Sequence, residues 1–366
     1  SFQPDGRPIA YFDPDGNRLS QVAADAFAVD VHHFDGQLAQ KIADSAPKTS
    51  YLPAVMAALS ESGWDADRQQ RVLEYLQHRT EEQYGVWIDN LDAHGLDDDQ
   101  VVGDEVVFPE GYDALATRLA EGLDIRLNRV VTKIEWGGEG IRITAGEEVA
   151  ATRAVVTLPV GVLKADVSIE PPLPEPVASA LAGLAMNHFE KVFLTFPDRF
   201  WDEGLYAFRR QGDAGIWWHS WYDVTPENGR PTLLTFAAGP CAQAIRQWSE
   251  AQVARSVVDS LREIYPTTPD PVKVQVTHWQ DDPYSRGSYA YMTVGSRPED
   301  HDLLATPIGG VLHLAGEATW SDDPATVTAA FRSGHRAAEN ILRRSIPWTS
   351  VIGGDTRTDS SQEGPL

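Results

Sequence analysis

The stretch from Gly310 to Leu342, GGVLHLAGEATWSDDPATVTAAFRSGHRAAENIL, constrains the fold of this chain more than any other. It opens with a short apolar run, Val311–Leu314, which predicts a buried strand. Asp323 and Pro324 predict a helix start, with a capping carboxylate followed by proline at the first helical position. A helix N-terminus that follows a strand and a loop can hold an anion or an electron-rich ring edge. From shape alone, an ordinary packing unit explains the stretch equally well. The apolar positions that predict one helix face are Val327, Ala330, Phe331, Gly334, Ala337, Ala338, Ile341 and Leu342.

Three motifs within this stretch resemble the C-terminal signature of the flavin-dependent amine oxidases. They are Gly316–Thr319 (GEAT), Ala325–Val327 (ATV) and Ser333–Ala338 (SGHRAA). The family includes polyamine oxidases, monoamine oxidases and lysine-specific histone demethylases. The resemblance implies an α/β plus α+β fold with two domains, a Rossmann-like FAD domain and a mixed sheet-and-helix substrate domain. It also implies that the helix points its N-terminus at the pyrimidine edge of the FAD isoalloxazine.

Two further blocks match the family in the same order along the chain. Residues Gly103–Leu163 resemble the middle of its FAD domain, where the backbone of Val131 would meet the adenine and Thr157 and Pro159 would pass near the adenosine. A core strand explains the same residues whatever the ligand. Lys191, in the motif EKV, matches the lysine that points through a water at flavin N5. Without the family, a lysine in an apolar strand is expected to snorkel or to face solvent at a sheet edge.

The segment from Trp279 to Tyr289 resembles the loop of the family that contacts the flavin. Monoamine oxidases carry a cysteine there that bonds to the flavin, and this chain has Ser288 at that position. The resemblance therefore implies noncovalent FAD. Tyr289 matches the aromatic wall of the amine channel. The opposite wall is a tyrosine in monoamine oxidases and corresponds to Thr326 here, as in histone demethylases.

The same resemblance implies the remaining site residues. Trp279 and Tyr284 would pack on the isoalloxazine, with plain core packing as the alternative. Glu317, after Gly316, would lie near the ribityl chain or the pyrophosphate, through water because a carboxylate repels a diphosphate. The N–H of Val327 would face flavin N1 and C2=O, where negative charge grows on reduction. Preorganised donors of this kind are typically worth ~3–4 kcal/mol each in the transition state.

An excess of acidic residues limits the partners of the chain. Thirty Lys and Arg against 54 Asp and Glu give a net charge of −24. This charge argues against nucleic acid or an anionic membrane as the main partner. It suits a cationic amine, although acidity that serves solubility is the simpler explanation. The single cysteine, Cys241, excludes an internal disulfide, and no metal site is expected because no His/Cys cluster has ligand spacing. No apolar run approaches the ~20 residues of a membrane span, and a cytoplasmic location is expected.

The glycine fingerprint that opens the FAD domain in this family is not found in the sequence. GGEG at Gly137–Gly140 lacks the third glycine of a Gly-x-Gly-x-x-Gly turn. We therefore expect the first pyrophosphate-binding unit to be a separate or cleaved N-terminal Rossmann segment, and any targeting signal would lie with that segment. The predicted division is an FAD-binding domain at 103–164 and 276–343, a substrate domain at 1–102 and 165–275, and a tail at 344–366.

Local patterns predict the remaining elements. Two Asp-Gly turns predict a hairpin over Ser1–Ser20, and apolar residues at helical spacing predict mainly helix from Gln21 to Trp87. An aromatic strand is predicted over Met186–Trp201 and a helix over Ser249–Tyr265. The middle block predicts a strand at Val106–Phe108, a helix at Tyr112–Glu121, and strands at Ile125–Arg129, Val131–Trp136, Ile141–Thr144 and Ala154–Leu158.

The combined motifs predict FAD-dependent oxidation of an amine, with polyamines as the leading substrate class. The resemblance implies that the amine Cα–N bond is oxidised to an imine, which is hydrolysed to an aldehyde while O2 is reduced to H2O2. Lys191, Tyr289 and Thr326 are the predicted catalytic residues. An L-amino-acid oxidase of the same superfamily is the alternative enzyme. A non-catalytic fragment without a complete FAD site is the alternative outside enzymes.

Overall fold

The first part of the chain is helical, as its apolar spacing predicts. The structure, a computed structural model, describes residues 7–95, 111–138, 140–212, 217–225 and 229–351. After a short strand come α1 (Gln21–Ala43), α2 (Tyr51–Glu61) and α3 (Ala66–Tyr84). Ser20 and Asp65 cap α1 and α3 through hydrogen bonds to their first turns. The helix α3 ends at Gly85 with φ of 63°, a left-handed conformation that glycine adopts without strain.

A six-stranded sheet forms the layer that packs on these helices. Its order is β1-β9-β10-β11-β8-β12, with β1 parallel to β9 and the other pairs antiparallel. Side chains alternate between the two faces of each strand. One face buries Leu194, Phe208 and Trp221 against two helices that follow β11. The elements of this layer are β1 (Ile9–Phe12), β8 (Phe189–Thr195), β9 (Ala207–Arg210), β10 (Ser220–Asp223), β11 (Thr232–Ala238), α7 (Pro240–Ile245), α8 (Glu250–Ile264) and β12 (Lys273–Val276).

The remaining elements build a separate core around smaller sheets. A four-stranded sheet has the order β4-β3-β2-β6, β13 pairs with β7, and β14 lies parallel to β5. Ile134, Leu184 and Leu312 are fully buried between them. The elements are α4 (Asp113–Leu119), β2 (Lys133–Gly137), β3 (Gly140–Thr144), β4 (Glu148–Ala151), β5 (Ala154–Val156), α5 (Val160–Ala165), β6 (Ser168–Glu170), α6 (Glu175–Gly183), β7 (Leu184–Met186), β13 (Ala290–Met292), α9 (Glu299–Leu304), β14 (Leu312–Leu314) and α10 (Val327–Leu342).

Three local predictions differ from the structure. Of the hairpin predicted over Ser1–Ser20, the described residues form the tip, with an antiparallel bridge from Phe12 to Arg18 and a hydrogen bond from Leu19 N to Tyr11 O at 2.8 Å, but no longer ladder; the other edge of β1 pairs with β9. The strand predicted at Ile125–Arg129 is not formed, and Leu127 is 78% exposed. The strand predicted over Met186–Trp201 is two strands, β7 and β8. Residues 96–110, which include the predicted strand at Val106–Phe108, lie outside the described part of the chain.

The predicted start of the final helix is also wrong. Asp323 and Ala325 have φ values of 50° and 63°, so neither belongs to a right-handed helix. The N-cap is Thr326, whose hydroxyl accepts a hydrogen bond from Ala329 N at 3.0 Å. A threonine hydroxyl at that position satisfies the first turn, and Pro324 lies in the preceding loop. The buried side of α10 is formed by Ala329, Ser333 and Ala337, whereas the predicted face includes exposed Val327 and Leu342.

Candidate functional site

Lys191 lies on an interior strand of the six-stranded sheet. Its strand, β8, is hydrogen-bonded to β11 on one side and β12 on the other, so the interpretation as an edge-strand lysine is wrong. Lys191 lies opposite Phe236 of β11, and its side chain is exposed. Its backbone is fixed where β12 ends, because its N–H donates to Thr277 Oγ1 at 2.8 Å and its carbonyl accepts from Thr277 N at 3.0 Å.

The segment after β12 folds into a loop against the start of β8. Trp279 O accepts hydrogen bonds from Gly287 N at 3.0 Å and from the Ser285 hydroxyl at 3.1 Å, which closes the loop on itself. Gly287 has φ of 139°, and a Cβ there would lie 2.5 Å from Cβ of Met186. Trp279 and Tyr284 are 45% and 64% exposed. Within the described part of the chain, neither ring is packed in a core.

Tyr289 is held between this loop and the end of α3. Its hydroxyl donates to Gln83 O at 2.9 Å, and its ring lies 6.1 Å from that of Phe189. Buried Asn187 accepts from Tyr289 N at 3.1 Å and donates to Tyr84 O at 2.7 Å. The neighbouring Ser288 hydroxyl donates to Phe189 O at 2.6 Å. Hydrogen bonds therefore hold Tyr289 at its hydroxyl and at its backbone.

Glu317 connects this loop to the approach to α10. Its carboxylate oxygens accept from Ala290 N at 3.3 and 3.4 Å, and its carbonyl accepts from Ala325 N at 3.4 Å. Burial raises the pKa of Glu317 to about 7, against the opposing effect of these backbone donors. Gly316, just before it, has φ of 135°, and the nearest atom to a Cβ built there is Thr157 O at 4.0 Å. These contacts bring the predicted residues Gly316, Glu317 and Thr157 together.

The N-terminus of α10 opens beside this junction. The first N–H groups of a helix have no intrahelical partner, and the Thr326 hydroxyl satisfies that of Ala329. The N–H of Val327 remains at the helix end, and Val327 is 48% exposed. Thr157 is exposed, and Pro159 is half-buried at the start of α5. An open glycine, exposed rings and a free helix end fit a flat, electron-rich ring system with a polar tail. Val131 is half-buried and packs against the same core as Val156 and Ala318, which adjoin Thr157 and Glu317.

Two sets of buried polar side chains in the structure were not predicted from the sequence. The first is Glu190, a carboxylate that is 1% exposed and accepts hydrogen bonds from the loop after β12. Its position beside Lys191 in the EKV motif was the only signal.

The second grouping is a buried cluster of His78, Glu81 and His219 at the contact between α3 and β10. Their candidate ligand atoms lie within 4.8 Å of one another. The two imidazoles are stacked, with centroids 3.7 Å apart and planes inclined by 16°. Imidazole nitrogens ligate in the ring plane, so nearly parallel rings do not converge on one ion.

Charge in this cluster is balanced by ion pairs. Burial opposes the charged form of His78, but the carboxylates of Glu74 and Glu81 outweigh it and raise its pKa to about 9. Burial and the neighbouring His78 lower the pKa of His219 to about 4. Glu82 accepts from His219 Nε2 at 3.0 Å and from Arg209 Nη2 at 2.7 Å. The cluster therefore joins the helical layer to the sheet.

The single cysteine has no place in this cluster. Cys241 is buried, and burial raises its pKa to about 12, so it acts as a small apolar residue.

Comparison with known proteins identifies the fold. Solved structures of putrescine oxidase with putrescine bound, and of cyclohexylamine oxidase from Brevibacterium oxydans, superpose with TM-scores of 0.73 and 0.71. They cover 92% and 94% of this chain, with 81% of each structure covered, at 20% and 19% identity. The predicted α/β plus α+β architecture is confirmed. No helix within the described ranges is both long and apolar enough to cross a membrane.

Curated relatives match at higher identity over part of their length. Human lysine-specific histone demethylase 2 is 33% identical over 254 residues, which are 66% of this chain and 31% of that protein. Lysine-specific histone demethylase 1 homolog 1 of Oryza sativa subsp. japonica is 29% identical over 99% of this chain and 44% of its own length. The chain thus spans less than half the length of these relatives.

The family model covers most of the chain. It matches residues 58–342 and describes flavin-containing amine oxidoreductases. The predicted cofactor, FAD, is confirmed by this match, and with serine at position 288 no cysteine thioether can form there. The chain belongs to the flavin-containing amine oxidoreductase family.

Proposed function

We propose that this chain forms the amine-oxidising site of an FAD-dependent oxidase for primary or secondary amines, with polyamines as the leading class. The observation that carries the proposal is the junction made by Glu317. Its contacts to Ala290 and Ala325 join the loop of Tyr289 to the N-terminus of α10. Lys191 is fixed to the same loop through Thr277. We propose that these groups, which come from distant parts of the chain, face the same bound flavin and amine.

The residues of the chain would divide the work as follows. When bound, FAD would supply the hydride acceptor for the amine Cα–H bond and the route by which the electrons reach O2. Tyr289, held by Gln83 O, would form a rigid wall beside the amine, and Thr326 would form the smaller opposite wall. Lys191 would hold a water near the reacting face. The Val327 N–H would stabilise negative charge at the ring edge, as preorganised donors do.

The pyrophosphate of FAD would be bound by a separate strand–turn–helix segment that packs on an exposed apolar face. A groove of about 1100 Å³ between α4 and α10 is lined by Leu115, Leu119, Phe331 and Trp348. The parallel pair β5 and β14 is a sheet of two strands among the described residues, and Val155 of β5 is 40% exposed. Parallel strands are normally buried on both faces within larger sheets. An added strand would extend the parallel pair of β5 and β14, and an added helix would cover the apolar groove between α4 and α10.

A substrate panel tests the reaction. Full-length protein is supplied with FAD and assayed for H2O2 with a spermidine-type polyamine, an aromatic monoamine, an L-amino acid and an N-methylated lysine peptide. We expect the polyamine to react fastest, because Thr326 leaves one side of the channel without an aromatic wall and the chain carries an acidic excess. Faster reaction of the L-amino acid would replace the polyamine proposal with the alternative enzyme.

The methylated lysine peptide is the second candidate substrate. It is favoured by the 33% identity to a relative named as a lysine-specific histone demethylase. Peptide turnover above that of every free amine would establish it. H2O2 formation from none of the four compounds, with FAD bound, would contradict an oxidase function. A chain that retains no acid-releasable flavin, even when the proposed strand–turn–helix segment is added, would favour the non-catalytic alternative.

A further inference from the structure

Glu190 is a buried acid at the base of the loop that carries Trp279. Only 1% of its surface is exposed. Its carboxylate accepts hydrogen bonds from Thr277 Oγ1 at 2.7 Å, Trp279 N at 3.1 Å and Gln280 N at 3.1 Å. Among the described residues no lysine, arginine or histidine forms an ion pair with it. Three donors from one turn therefore stabilise the buried charge, as a buried carboxylate requires.

These contacts fix the turn by its backbone. Both Trp279 and Gln280 donate their N–H groups to the same side chain, so the peptide between them cannot rotate without losing a charge-assisted bond. Thr277 shares its hydroxyl between Glu190 and Lys191 N. The Trp279 ring, 45% exposed, projects from a backbone that Glu190 anchors.

The position of Glu190 in β8 links the anchor to Lys191. Neighbouring side chains on a strand point to opposite faces. Lys191 is therefore directed to the exposed face while Glu190 is buried beside it. The backbone of Lys191 holds Thr277, and the carboxylate of Glu190 holds the turn that follows. A shift of this turn would move Trp279 relative to Lys191.

Only an acid satisfies all the donors. An ionised carboxylate has two oxygens and about four acceptor sites, whereas an amide has one oxygen and an NH2 group. In a Glu190→Gln variant the NH2 group would face at least one of the N–H donors. We infer that Glu190 is a positioning residue, which sets the place of the Trp279 ring relative to Lys191 at the proposed amine-oxidising site. The inference rests on the proposed function only for its effect on the reaction.

The experiment separates the structural effect from the reaction. The full-length chain is labelled with 5-fluorotryptophan, and its eleven tryptophans are followed by 19F NMR, with the Trp279→Phe variant identifying one signal. Amide exchange of Trp279 and Gln280 is measured by mass spectrometry. Glu190→Gln is compared with Glu74→Gln, a change at another buried carboxylate that accepts from Gly212 N and does not contact this loop.

We expect Glu190→Gln to shift the Trp279 signal and to speed exchange at residues 279 and 280 about tenfold or more, since a charged hydrogen bond is lost. Thr277→Val, which keeps the carboxylate, should give a smaller change in the same direction. Glu74→Gln should leave both readouts unchanged. Unchanged signals in Glu190→Gln, or equal changes in Glu74→Gln, would overturn the inference.

The reaction is tested on the FAD-loaded protein. Glu190→Gln should lower the rate of flavin reduction by an amine about tenfold, because small displacements at a reacting centre have large effects, while KM changes less. A moved Trp279 signal with an unchanged reduction rate would overturn the role in positioning the reaction. If the protein does not bind FAD even with the proposed strand–turn–helix segment supplied, the proposed function fails, and the NMR and exchange results still decide whether Glu190 anchors the turn.

Discussion

The two sides of the proposed site are supported very differently. Lys191 and the loop of Trp279 rest on the six-stranded sheet, whose far face is closed by α7 and α8 over fully buried Leu194 and Trp221. The N-terminus of α10 and the turn after β5 lie beside the second core, and among the described residues an apolar groove between α4 and α10 is open. There, α4 leaves Leu115 and Leu119 44% and 52% exposed.

In the proposed site, the two sides differ because one positions reacting groups and the other binds a cofactor. The closed side holds side chains in fixed positions through Asn187, Glu190 and Thr277, as expected where groups must meet a reacting atom. The open side offers a helix end, an open glycine and an apolar face, which suit a large cofactor and a further segment of protein. The comparison can be tested by changing matched residues on each side.

The largest difference should appear in stability. Leu194→Ala, at a residue with no exposed surface, should lower the free energy of unfolding by about 2–5 kcal/mol. Leu115→Ala, on the open face, should change it by no more than about 0.5 kcal/mol. Urea unfolding of the two variants and the parent chain measures both. A loss of several kcal/mol in Leu115→Ala would show that the α4 face is already covered in solution.

Glu317 should give the chain a pH-dependent loss of stability. Because burial raises its folded-state pKa to about 7, the folded state keeps a proton that the unfolded state releases above its ordinary pKa of about 4.3. Stability from this group is therefore full below pH ~4 and falls as pH rises to ~7, by up to about 4 kcal/mol.

A Glu317→Gln variant checks this sign. Urea unfolding of variant and parent at pH 5, 6, 7 and 8 should show their difference growing in favour of glutamine through this window and levelling above it. A difference that stays constant with pH would mean that Glu317 is not buried as described.

Lys191→Met should slow flavin turnover about 100-fold, equivalent to about 2.7 kcal/mol, a size typical of a lost proton-handling group. Flavin binding should persist, since the lysine side chain is exposed and its backbone contacts remain. Stopped-flow reduction and reoxidation measure the effect. Lys273→Met, an exposed lysine on β12 of the same sheet, is the control. Equal turnover in both variants would remove Lys191 from the mechanism.

The smallest effect is expected at the start of α10. Thr326→Ala removes the hydroxyl that caps Ala329 N and should lower stability by about 1 kcal/mol. Ser249→Ala removes the equivalent cap of α8 on the closed side and should lower stability similarly. Thermal unfolding of both variants gives the comparison. A neutral Thr326→Ala would show that α10 begins elsewhere, for example at Pro324.

Elements with strong periodicity were predictable from the sequence. The three helices between Gln21 and Tyr84 and the helix after Ser249 follow from apolar spacing and capping residues, which act locally. The start of α10 was mispredicted because Asp323-Pro324 and Thr326 both suit a cap, and only the backbone conformation decides between them. The strand at Ile125–Arg129 was mispredicted because a strand needs a partner, and pairing is not a local property.

Motifs in the sequence identified candidate site residues, but they did not predict the contacts that position those residues. The resemblance selected Lys191, Tyr289 and Glu317, whereas the roles predicted for them remain proposals. The role of Glu190 could not be predicted because its hydrogen-bond donors lie almost ninety residues further along the chain. The stacking of His78 on His219 likewise depends on the docking of a helix on a sheet. Contacts between distant segments carry no signal in local spacing.

Anaerobic reduction of the flavin decides whether this junction oxidises amines. Full-length protein loaded with FAD is mixed anaerobically with excess polyamine while the flavin absorbance is followed. We expect the oxidised flavin band to bleach, and admission of O2 to restore it with release of H2O2. A flavin that stays bound and oxidised in the presence of polyamines, monoamines, L-amino acids and methylated lysine peptide would contradict the assignment of this junction as an amine-oxidising site.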